Sequence, residues 1–202
     1  VLGFAVFFLA RILGALYFIN NIDDKDLVAR SRRSLIGNSV LFLVFFLSFV
    51  IRTLLADGYA VNPETGEVFM EPYKYLTNFI EMPLVLVLFL IGVVLVLFGI
   101  GKSLLKTKFD KGIWFTGIGT VLAVLALLLV AGYNNTAYYP STNDLQSSLT
   151  LANSCSSQFT LRVMFYVSFL VPFVLAYIFY AWRSIDIHKI SEKEMKDGGH
   201  AY

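Results

Sequence analysis

Five separate stretches of this chain are each long and apolar enough to cross a lipid bilayer, and that feature constrains the fold more than any other. They cover residues 1–19, 35–56, 80–101, 113–133 and 161–182. A bilayer core takes about 20 apolar residues in helical form, because lipid offers no partner to an unpaired backbone N–H or C=O. The expected fold class is all-α: a polytopic transmembrane helix bundle of five membrane-spanning helices, followed by a basic tail at 183–202. Composition agrees, with 15% charged residues against about 25% in soluble domains. The chain begins with Val1 inside an apolar run, which suggests a sequence cut within or just before a helix.

The connections between the stretches differ sharply in charge. The first, "NNIDDKDLVARSRRS", holds Lys25, Arg30, Arg32 and Arg33. The second sets Lys74 against Asp57, Glu64, Glu67 and Glu71, and the third holds Lys102, Lys106, Lys108 and Lys111. The fourth has no basic residue, while the tail after Trp182 carries Arg183, Lys189, Lys193 and Lys196. Basic residues gather on the cytoplasmic side of membrane proteins. The alternation therefore predicts a cytoplasmic C-terminus and places Val1 at the outer side. Tyr133, Tyr138 and Tyr139 would then mark an outer interfacial belt, and Tyr177, Tyr180 and Trp182 an inner one. A net charge of +2 gives no footing for nucleic acid.

Five residues interrupt the apolar pattern. Arg11 falls near the middle of the first stretch, where an arginine costs about 2.5–3.5 kcal/mol on insertion scales. It should face protein or water, as an interhelical ion pair or a contact to a lipid or quinone headgroup, unless it snorkels to the cytoplasmic end. Arg52, Glu81 and Arg162 fall at outer helix ends, where Glu81 could pair with either arginine, serve a proton relay, or remain a solvated rim carboxylate. Pro172 lies mid-span in "TLRVMFYVSFLVPFVLAYIFYAW". It cannot donate to the Ser168 carbonyl and should kink the helix there. Ser156, Ser157 and Thr160 can cap the start of that helix.

Chemistry-bearing residues are sparse. The histidines are His188 and His200, both in the tail, and of four methionines only Met82 and Met164 fall in the spans. Heme held by histidine inside the five helices is therefore excluded. Cys155 is the single cysteine, so no internal disulfide forms. "GIGKS" at 99–103 lacks the earlier glycine of a phosphate loop and closes a membrane helix. "SEKE" at 191–194 reads as a capping box for a short tail helix. "NNT" at 134–136 matches a glycosylation acceptor, which carries no meaning in a bacterial source.

The order of "GALYF" (14–18), "DGY" (57–59), "SSLTLANSCSSQF" and "TLRVMFYVSFLVPFVLAYIFYAW" resembles the C-terminal part of subunit II of cytochrome bd quinol oxidases, over nearly the whole chain. The resemblance implies a heme-free integral subunit that supports a heme-bearing subunit I. The enzyme would oxidise quinol at the outer face of the bacterial cytoplasmic membrane and reduce dioxygen to water. Heme b and heme d would reside in subunit I, with no cofactor in this chain. A bound quinone and a small single-helix accessory subunit are also compatible with the family. Its acidic proton-route residues belong to an N-terminal half that no position here matches. Arg11 is a departure, since that segment usually lacks arginine. The alternative reading is a small membrane transporter or channel, but only Pro172 interrupts a span and no segment is duplicated.

Overall fold

A computed structural model describes residues 1–106, 109–185 and the backbone at 190–191. Its helices are α1 (Leu2–Asn21), α2 (Lys25–Leu55), α3 (Lys74–Glu81), α4 (Pro83–Leu105), α5 (Gly112–Gly132), α6 (Gln158–Ser168) and α7 (Val171–Ile185). Five units among the described residues are long and apolar enough to cross a membrane: α1, α2, α4, α5 and the α6–α7 pair. The all-α bundle is therefore present. The tail helix expected from Ser191 to Gly198, the two histidines, the tail lysines and Lys108 lie outside the described residues. From that region only a two-residue strand, β4 (Ile190–Ser191), is described; it pairs in parallel with β1 (Ile22–Asp23).

Several boundaries differ from expectation, each for a local reason. α2 begins ten residues before 35, at Lys25, because Asp24 caps it by accepting the Leu27 N–H at 2.7 Å. Arg30, Arg32 and Arg33 are thus helical rather than part of a loop. α4 starts at Pro83, since proline fits a first helical turn, where its missing N–H is no loss. Ile80 and Glu81 consequently sit on the short α3 and not on a span. The fifth span is broken rather than merely bent: the Leu170 N–H bonds the Val167 carbonyl at 2.9 Å in a tightened turn, and Pro172 opens α7 as its second residue. Ser157 caps α6 through the Thr160 N–H at 3.3 Å.

The two ends of the bundle are built differently. At one, the second connection folds into an antiparallel hairpin of β2 (Gly58–Val61) and β3 (Val68–Glu71), with Gly58 opposite Glu71. Asn62 Oδ1 accepts the Glu64 N–H at 2.9 Å, and Gly66 takes a φ of 75° that closes the turn. The fourth connection lies on this hairpin. Ala60 bridges Thr136, and Gln146 exchanges two hydrogen bonds with the Val68 backbone, at 3.0 and 2.9 Å. The first and third connections meet at the opposite, basic end.

Packing follows two pairs, α4 with α5 and α1 with α2. Gly92 and Gly99 of α4 face Gly112 and Gly119 of α5. A Cβ on Gly99 would stand 2.8 Å from the Gly112 oxygen and 2.9 Å from the Thr116 nitrogen. Only hydrogen fits there, and the backbones approach closely, as small residues permit in membrane helices. Ile12, Leu16, Ile19, Leu35 and Ile100 bury the α1–α2–α4 core, and Phe79, Phe89, Ala126 and Val130 a second core beneath the hairpin. No residue of α6 or α7 is buried.

Candidate functional site

The hairpin end holds the densest polar cluster. Asn78 is fully buried on α3. Its Nδ2 donates to the Val130 carbonyl and to Thr136 Oγ1, both at 2.8 Å, and its Oδ1 accepts from Asn134 Nδ2 at 3.1 Å. Asn134, in the left-handed region at φ 56°, also donates to Glu81 Oε2. Asparagine tolerates that conformation better than most residues. The cluster joins α3, the end of α5 and the fourth connection, so every buried amide group of Asn78 has a partner. Beside it, buried Lys74 pairs with Glu71 at 3.2 Å. Burial, with a smaller contribution from Tyr59, raises the Tyr75 pKa above its usual value.

The residues expected to matter are dispersed. Glu81 bonds Asn134 and makes no ion pair with Arg52 or Arg162 among the described residues. Arg52 lines a crevice at the hairpin end with Tyr75 and Ala131. Arg162 is exposed on α6 as its fifth residue, and Pro172 is exposed on α7. Arg11 is exposed on α1 with its guanidinium carbon 5.7 Å from the Phe7 ring centroid, one turn back along the helix. A groove of about 470 Å³ runs from Arg11 and Gly14 to Arg30 and Ser34.

Sequence reasoning missed Asn78, Asn134, Thr136 and Arg32. The "NNT" string was the available signal, since paired asparagines after a long apolar run favour left-handed turns. Arg32 donates to the carbonyls of Ser103, Lys106 and Phe109, the last two at 3.3 Å. Its bond to Ser103 satisfies a carbonyl left open in the last turn of α4, and the other two tie the third connection to α2.

Among the described residues no three of His, Cys, Asp and Glu come together as a metal site. Met82, Met164 and Cys155 stand on separate elements, Cys155 exposed in the fourth connection. What the chain does offer is apolar space. A cavity of about 270 Å³ lies among α1, α2, α4 and α5, lined by Leu9, Phe42, Phe46, Val96 and Ala123 among others. A larger cleft of about 800 Å³ separates α7 from α1 and α5, between Tyr17, Trp114 and Trp182.

Comparison with known proteins matches residues 1–185 to the family described as cytochrome bd terminal oxidase subunit II. The curated cytochrome bd-I ubiquinol oxidase subunit 2 of Escherichia coli strain K12 is 32% identical over 136 residues, covering 66% of this chain and 34% of the relative. The same protein from strain O157:H7 matches equally. The aligned part thus spans about a third of the relatives' length.

Proposed function

Because the chain belongs to the cytochrome bd terminal oxidase subunit II family, we propose that it is the heme-free membrane subunit of a bd-type quinol:oxygen oxidoreductase. In this reading it braces a subunit I that holds heme b and heme d in the bacterial cytoplasmic membrane. One observation carries the bracing role: α6 and α7 form a whole span in which nothing is buried. A helix pair with no buried residue among the described elements has its surface free to receive a neighbouring helix. The oxidoreductase chemistry rests on the family; the Escherichia coli relative is named for ubiquinol, and quinol is the substrate proposed for the assembly. The alternating charges support a cytoplasmic basic end and tail. Hairpin and fourth connection then face outward, on the side where quinol is oxidised. A bound quinone and a single-helix accessory subunit remain compatible with this arrangement.

Affinity purification of the full-length protein from native membranes tests it. Heme absorbance should co-elute with a histidine-bearing membrane subunit and be absent when this protein is expressed alone. Heme retained by the lone protein, or solute flux through liposomes that hold it alone, would overturn the proposal.

A further inference from the structure

We infer that the groove between α1 and the first turns of α2 binds the phosphate of an anionic phospholipid, drawn from the leaflet at the basic end of the bundle. The inference needs only that the chain spans a bilayer; it goes beyond the oxidase reading and does not rest on it.

The groove is built by two helical stripes. Leu27, Arg30, Ser31 and Ser34 follow one another on α2 at intervals of three, one and three, which places them on one face. Arg11 and Phe18, two turns apart, border the same space from α1. Together they line a groove of about 470 Å³ that no carboxylate enters.

Its polar groups are donors in want of an acceptor. Arg11 and Arg30 are exposed, and neither makes an ion pair or hydrogen bond among the described residues. Arg11 rests over the Phe7 ring at 5.7 Å, a contact that leaves its N–H groups open. Ser31 is only 8% exposed. Ser39 and Ser48 on the same helix turn their hydroxyls onto the carbonyl four residues back, each at 2.6 Å. Ser31 makes no such bond among the described residues. Ser34 Oγ accepts from Asn38 Nδ2 at 3.0 Å, which leaves its own proton to donate. Two guanidiniums and two hydroxyls around one space are the complement of a phosphate. Arg32, next along the chain, is already engaged by the carbonyls of α4 and the third connection.

Position selects a lipid as the source of that phosphate. Residues 35–51 of α2 carry no charge. At 1.5 Å per residue that run is ~26 Å long, close to a hydrocarbon core of roughly 30 Å. Arg30, Ser31 and Ser34 come immediately before it, at headgroup level. Phe18 and Leu27 add apolar wall, which glycerol and acyl carbons can cover and a free anion cannot use. Basic pockets between membrane helices take anionic headgroups in this way.

Photolabelling tests the site. The full-length protein in its native assembly is placed in phosphatidylcholine vesicles doped with a phosphatidylglycerol that carries a diazirine beside its headgroup. Adducts should map to residues 11–34, disappear with excess unlabelled phosphatidylglycerol, and persist in excess inorganic phosphate. Arg11→Gln combined with Arg30→Gln should lower the adduct yield about tenfold or more. Both arginines are exposed, so the double variant keeps the fold. Ser31→Ala should lower the yield less, since it removes one hydroxyl and no charge. Arg33→Gln, an exposed cation at the same end but outside the groove, should leave it unchanged. Equal labelling by a phosphatidylcholine probe, displacement by inorganic phosphate, or an equal drop with Arg33→Gln would overturn the proposal. So would a wild type without adducts, because another part of the assembly would then fill the groove.

Discussion

Asn78 satisfies three hydrogen-bonding groups from a position closed to solvent, so its loss strands the buried partners Val130 and Thr136. Asn78→Leu should destabilise the protein by about 1–3 kcal/mol for each group left unpaired, read as a lowered thermal midpoint in detergent. Asn134→Ala should cost less, because Glu81 on its far side is exposed and finds water. Tyr75 gives a pH dependence of known sign. Its pKa is raised in the folded state by burial, so the folded protein holds its phenol proton more tightly than the unfolded chain. Its contribution to stability is constant below the ordinary tyrosine pKa of 10.0 and is lost as pH rises through the higher folded value. Tyr75→Phe should therefore flatten the alkaline fall in thermal midpoint, and the tyrosinate absorbance it removes should be a late-titrating one. Little of this cluster was legible in the sequence. Asn78 sits in "KYLTNFIE" as one polar residue among several, and the residues that bond it come from more than fifty positions away.

Helix α5 matched its expected limits to within one residue, since Gly112 and Gly132 bound an uninterrupted apolar run. Where hydropathy is continuous but the backbone is not, the expectation failed. Pro83 and Pro172 leave the apolar run intact while resetting the helix, and only the hydrogen-bond pattern shows that one starts α4 and the other splits a span. The hairpin was missed for a related reason: its strands are four residues each, too short for an alternation to stand out from flanking apolar runs. The α4–α5 seam was hidden because glycine is common in membrane helices and its spacing has meaning only when the partner is known. That seam yields a contrast at fixed chemistry. Gly99→Ala places a methyl against facing backbone and should destabilise by about 1–3 kcal/mol, as overpacking does. Gly117→Ala on the same pair of helices meets open space and should be neutral or stabilise by up to about 1 kcal/mol through helix propensity. Denaturant titration of the two variants in detergent, side by side, separates steric from propensity effects.

At the scale of the whole molecule, the charge alternation and the fold converge on one arrangement from independent directions. The acid-rich second connection and the lysine- and arginine-free fourth connection fold together through the Ala60–Thr136 bridge and the Gln146–Val68 bonds. At the other end Arg32 on α2 grips the end of α4 and the third connection. The connections rich in basic residues thus share one end of the bundle, a condition that any orientation based on basic residues requires. Cys155, exposed in the fourth connection, offers a probe of that orientation in a full-length protein whose other cysteines are replaced by serine. A membrane-impermeant maleimide should label Cys155 in intact spheroplasts. A cysteine placed at Arg33, exposed at the basic end, should react only after permeabilisation, in a Cys155→Ser background. Cys155 labelling in opened but not intact spheroplasts, together with the reverse for the Arg33 position, would invert the topology. Labelling of both positions from one side would mean that the helices do not alternate across the bilayer as their basic connections require.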